Sequence, residues 1–178
     1  MAEAVLPTPR RDFVVRLARA AGVAPAVLGL LEGTGTALAR AKDETDVAIL
    51  GAALAIEHHA IALYEAGLQR GLFPAGLRAY AVEFRGDHLG HRDTQIAIME
   101  ERGARPPAAR SRYELGRLVP GDEFVRQALQ IEVYAQEAYT ALMSRIDTRD
   151  YLLSAAFILV DEVRHMTVWR RVLGLRIY

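Results

Sequence analysis

Asp161, Glu162, Arg164 and His165 interrupt the apolar stretch LVDEVRHMTVW at residues 159–169. Glu162 and His165 stand three apart, so on a helix they share one face, together with Ile158, Leu159 and Trp169. Burying an unpaired carboxylate costs on the order of several kcal/mol even after relaxation. A divalent cation removes that cost by taking the carboxylate and the imidazole as its ligands. The chain has no cysteine, so any metal it holds must be bound by carboxylate oxygen and imidazole nitrogen.

The same pattern occurs twice. ALAIEHHAIALY at 53–64 matches ALQIEVYAQEAY at 128–139, sharing A-L-x-I-E-x-x-A-x-x-x-Y, and DHLGH at 87–91 matches DEVRH at 161–165. From Glu57 to His91 is 34 residues and from Glu132 to His165 is 33, so both matches hold in register. This is an internal duplication. Glu57 lies on a stripe with Ala53, Leu54, Ala60, Ile61 and Tyr64, and Glu132 on one with Ala128, Leu129, Ala135 and Tyr139. A metal-binding helical bundle takes one Glu from each of two helices and a Glu-x-x-His from each of the other two. Glu57, Glu132, the Glu162–His165 pair and His91 fill that scheme. His88 stands where the remaining Glu belongs.

Four helical stretches must position these groups. The first spans about 43–70 and stops at Gly71; the second starts at Pro74 and stops at Gly103. The third follows PGD at 120–122 with Asp122 as its cap, and the last runs from 147 or 148 to Gly174. The first and last connections are only a few residues long, which makes each pair an antiparallel hairpin. The middle connection, ARPPAARSRYELGRLVPG, is long enough to run the length of a bundle. The chain is therefore expected to be all-α, with residues 1–42 an N-terminal extension and 43–178 a four-helix bundle.

On these residues the chain resembles the ferritin-like superfamily of carboxylate-bridged dinuclear metal proteins. Bacterial ferritin-like domains behind twin-arginine signals, and desiccation-related proteins of plants, are similar. DEVRH resembles the D-E-x-R-H motif of di-iron oxygenases and their relatives. The resemblance covers about 43–174 and implies an antiparallel bundle of two hairpins joined by the crossover. It implies Glu57, His88, His91, Glu132, Glu162 and His165 as ligands of two metal ions. Asp161, and Asp87 in the other half, would orient ligand histidines, Arg164 would hold a carboxylate, and Tyr64 and Tyr139 would hydrogen-bond to carboxylates. Iron is the metal it implies first; manganese and zinc use the same ligand types. The departure is His88, because a neutral imidazole cannot bridge two ions as a carboxylate does.

Three functions follow from this resemblance. The first is iron oxidation or chemistry on O2 or peroxide. The second is a stress- or desiccation-related protective bundle with a vestigial or single-metal site. The third is manganese-dependent disproportionation of peroxide. Whether the chain is an enzyme stays open among them, and oligomeric state is not written in these residues, although a homo-oligomer is compatible with the family.

Composition excludes other classes. The 22 basic residues balance 22 acidic ones, giving no electrostatic reason to expect nucleic acid or an anionic membrane as partner. No uninterrupted apolar run approaches the ~18 residues of a membrane span, so no membrane insertion is expected. The N-terminal TPRRDFVVRLARAAGVAPAVLGLL has two readings. Paired Arg10 and Arg11 before an apolar stretch and ALARA at 37–41 resemble a twin-arginine export signal, which would place the protein outside the cytoplasm. Arg16 and Arg19 suit an amphipathic helix capped by Thr8 instead, and a cytoplasmic protein. His58 and His59 are adjacent and have no counterpart in the repeat, and Trp169 reads as packing. Glu65, Glu83, Glu100, Glu101 and Glu137 read as solvated faces. Arg102, Arg105, Arg110, Arg112 and Arg117 read as a polar connection.

Overall fold

The computed structural model describes residues 42–177, so the N-terminal extension and its twin-arginine-like stretch lie outside the described residues. Among the described residues the fold is made of four long helices, α1 (Lys42–Gln69), α2 (Arg78–Glu101), α3 (Asp122–Met143) and α4 (Arg149–Val172), with a 3-10 turn at Ala75–Leu77. No strand occurs among the described residues. α1 pairs with α2 and α3 with α4, and the two hairpins meet mainly through α1 and α3. α2 and α4 touch less.

Local chemistry sets the helix ends. Gly71 takes φ +65° just past α1, a left-handed conformation that costs glycine nothing. The amide of Leu72 then bonds back to the carbonyl of Gly67, turning Leu72 and Phe73 into the interior. Gly67 is required for a different reason: a Cβ there would collide with the rings of Phe124 and Phe73. Two details differ from expectation. Pro74 opens a 3-10 turn, so α2 itself starts at Arg78, and Gly121 rather than Asp122 is the N-cap of α3. Asp122 is the first residue of that helix, where its charge suits the helix dipole.

The start of α4 is capped from outside. Thr148 precedes the helix but its hydroxyl makes no cap bond. The buried carboxylate of Asp46, on α1, accepts from the amides of Asp147 (3.0 Å) and Thr148 (2.9 Å) instead. One side chain thereby satisfies helix-end donors and ties the two hairpins together.

The crossover runs lengthwise along α1. His58 donates to the carbonyl of Pro107 (3.3 Å), and Tyr113 stacks on His59 with ring centroids 5.6 Å apart. Gln127 on α3 donates to the carbonyl of Arg117 (2.7 Å), and the amide of Gly121 donates to that of Leu72 (2.9 Å). Held this way, the segment lets α3 restart beside α1 and parallel to α2.

An aromatic group of Tyr64, Phe73, Phe84, Phe124 and Trp169 packs one end of the bundle. A smaller cluster of Leu50, Leu54, Met99 and Tyr151 fills the other. The expectation about apolar runs needs one correction. The 24 residues Asp46–Gln69 are long and apolar enough to cross a membrane by length and composition. In the fold that stretch is largely buried inside the bundle, and it carries Glu57 at its middle.

Candidate metal centre

Between the two apolar ends, six ionisable side chains meet in the interior. Glu57, His88, Glu132, Glu162 and His165 are wholly buried and His91 is 8% exposed. They come from all four helices, as the duplicated pattern requires. They form two overlapping groups, Glu57–His88–His91–Glu162 and His88–Glu132–Glu162–His165, with donor atoms within 4.8 Å of one another in each. His88 and Glu162 belong to both.

The shared position of His88 follows from its contacts. Nδ1 lies 2.9 Å from Glu57 Oε2 and 3.6 Å from Glu162, while Nε2 lies 3.5 Å from Glu132 Oε1. One ring nitrogen therefore addresses each half of the centre. His91 and His165 are arranged alike. Nε2 of His91 bonds to Asp161 on α4 (3.3 Å), and Nε2 of His165 bonds to Asp87 on α2 (2.9 Å). Each aspartate anchors the histidine of the opposite hairpin, and the Nδ1 atoms face Glu57 and Glu162 on one side and Glu132 on the other. Carboxylate-anchored imidazoles are what metal-ligating histidines ordinarily show.

Arg164 supports that frame. Its guanidinium bonds to Glu83 (2.6 Å) and Asp87 (2.5 Å) across the groove and lies 3.4 Å from Asp161. The expected grip on a carboxylate is present, and it falls on the anchoring aspartates. Glu83, expected to be a solvated face, takes part in it.

The tyrosines complete the symmetry. Tyr139 on α3 donates to Glu57 on α1, and Tyr64 on α1 donates to Glu132 on α3. Each hydroxyl in turn accepts a bond: Tyr139 from Gln95 and Tyr64 from Trp169 Nε1 (2.8 Å). Gln95 was not singled out from the sequence, and Trp169 was read only as packing. The signal was there in the register, since Gln95 follows His91 by four as Trp169 follows His165, but the unlike residue types hid it. His59 is buried against Tyr113 and His58 faces the crossover, so neither joins the centre.

Burial and neighbouring charges set the electrostatics of the centre. Burial pushes the Glu162 carboxyl well above its ordinary range, and Glu132 and Glu57 push it further against the pull of His88. Burial also acts on Glu57, but the hydrogen bond from His88 and the nearby imidazole of His91 overcome it and hold this group at about 2. Glu132 is likewise lowered, by His88 and His165 against its burial. Burial alone would lower His88; Glu162 and Glu132 instead raise it well above the usual imidazole value. Both oxygens of Glu162 and Nδ1 of His91 have no hydrogen-bond partner, although Nδ1 lies 3.3 Å from Oε1. Buried polar atoms ordinarily find a partner, and Glu162 and His91 both offer donor atoms to the candidate metal groups. A cation of carboxylate- and imidazole-binding type fits them, so the His/Glu cluster can hold a metal ion.

No functionally curated protein matches the chain. A solved structure does: a conserved hypothetical protein from Mycobacterium tuberculosis is similar, with TM-score 0.69 and 30% sequence identity, over 75% of this chain and 94% of that one. The ferritin-like domain family matches residues 45–175, which takes in all four helices and every residue of the centre. The chain belongs to the ferritin-like domain family.

Proposed function

We propose that the bundle holds two metal ions, one between Glu57 and His91 and the other between Glu132 and His165, with Glu162 shared and His88 a ligand of one of them. The observation that carries this reading is Glu162: a buried carboxylate between two donor groups with neither oxygen bonded. Iron is the proposed metal, and a bound redox-active pair would supply electron transfer to O2 or peroxide. The chain's own residues do the rest. Asp161 and Asp87 fix the imidazoles, Tyr139 and Tyr64 hold Glu57 and Glu132, and the carboxylates offset the ions' charge. Because five of the six donors are wholly buried, only a substrate the size of an ion, O2 or peroxide can reach them. The partly exposed Asp161 and the 8% exposure of His91 support an entry on the α2–α4 side.

His88 favours a second reading, in which one ion is held firmly and the other site is weak, as in a stress-protective bundle with a vestigial centre. A neutral imidazole serves one ion with one nitrogen. A manganese centre consuming peroxide uses the same donors and is separated by its metal requirement. The deciding experiment is elemental analysis of untagged protein purified without chelators, followed by assays of Fe(II) oxidation and peroxide loss. Two equivalents of iron with Fe(II) oxidation support the proposal. One equivalent of zinc, or none after reconstitution, supports the vestigial site, and peroxide loss with manganese alone supports the third reading.

A further inference from the structure

Outside the metal centre, the arginines that read as a polar connection acquire neighbours from elsewhere in the chain. A cleft of about 450 Å³ lies between the outer face of α1, the crossover and α2. Arg110 and Arg112 of the crossover, Arg70 just past α1 and Arg92 of α2 line it, four guanidinium groups from three separate segments. Glu65 is the one carboxylate in the lining, and it is engaged by Arg85 at 2.8 Å. Arg92 shares its charge with the exposed Asp93. Among the described residues neither Arg70 nor Arg112 has a carboxylate partner.

Gathering like charges at one place costs free energy, and a chain of balanced net charge has acids enough to disperse them. A concave wall that is predominantly basic focuses the field and concentrates anions. Arginine adds geometry, since its planar fork matches the two oxygens of a carboxylate or phosphate. The floor is different in kind: Ile61, Ala62 and Leu115 provide apolar surface beneath the charged rim. The volume lies in the range of small-ligand sites.

We propose that this cleft binds a small multivalent oxyanion, with two or more carboxylate or phosphate groups engaged by Arg70 and Arg112. Its position relates it to the metal centre. His58 in the lining directly follows Glu57, and Arg92 directly follows His91, so the cleft lies on the outer side of two helices that carry buried donors. The inference does not depend on which metal is bound, or on whether one is.

Calorimetric titration of the full chain with citrate and with inorganic pyrophosphate at low ionic strength tests this. The expected result is saturable binding of one anion per chain, weakened at least about tenfold in R70E/R112E. Added salt should weaken it as well. Both arginines are exposed, so the charge reversals leave the bundle folded, which circular dichroism checks, and R70Q/R112Q provides a milder pair. Binding must persist in Glu162→Gln, which separates the cleft from the metal centre. Tighter citrate assigns a carboxylate ligand that uses the apolar floor; tighter pyrophosphate assigns a phosphate one. Absence of saturable binding, indifference to both arginine pairs, or loss in Glu162→Gln overturns the proposal.

Discussion

Tyr139 of α3 donates its hydroxyl hydrogen to Glu57 of α1, 82 residues away in sequence, and so joins the first-hairpin carboxylate to the second hairpin. Both groups are fully buried. The bond holds one oxygen of Glu57 and leaves the other, Oε2, toward His88 and His91.

Tyr139→Phe should therefore leave the bundle folded while loosening the aim of Glu57. Loss of a group that orients a ligand typically costs about 10–100-fold in metal affinity. Competition with a chromophoric chelator measures this, and Tyr64→Phe should behave alike through Glu132. Unchanged affinity in both would mean that the tyrosines only pack.

Glu162→Gln should reduce metal content, whereas Glu65→Ala, on a partly exposed carboxylate held by Arg85, should not. The same glutamine removes a buried ionisable group, so the metal-free variant should melt no lower than the metal-free parent. Equal metal content in the two variants would remove Glu162 from the site.

The metal-free protein should lose stability as pH rises. His88 is raised in the fold, so its contribution is complete below its ordinary value of about 6.5 and fades as pH climbs through the raised value. Glu162, also raised, acts in the same direction from the ordinary carboxylate range upward. Glu57, held at about 2, and Glu132 contribute above the ordinary carboxylate range and fail only in strong acid. Metal competes with those same protons, so the stabilisation it brings should grow with pH. Melting curves with and without metal from about pH 6 to 9 compare the two trends.

Asp46→Ala should cost about 1–2 kcal/mol by removing the cap from the start of α4. Denaturant unfolding measures it, and metal binding to the folded protein should persist because the cap lies away from the centre.

Much of this centre was legible in the chain itself. Helix stretches were marked by glycine and proline punctuation, and helical periodicity put Glu57, Glu132 and Glu162 on apolar faces. The duplication then matched His91 with His165 and Asp87 with Asp161. Those are local properties, fixed by 3.6-residue geometry and the chemistry of helix ends. What the chain could not show were partners at long range. Asp46 looks like one more polar residue near a helix start until the second hairpin brings Thr148 to it. Gln95 and Trp169 occupy equivalent places but share no chemistry until each is found bonded to a tyrosine.

The sequence by itself determined that there are four helices in two hairpins, and which carboxylates and imidazoles face inward, because periodicity and turn chemistry act over a few residues. Only the tertiary structure decided which histidine each aspartate anchors, that His88 stands between both donor groups, and that arginines from three segments share one cleft. Those relations depend on how the second hairpin docks against the first and where the crossover lies on α1. Packing sets that docking through contacts between residues far apart in the chain, such as Gly67 with Phe124 and Tyr139 with Glu57.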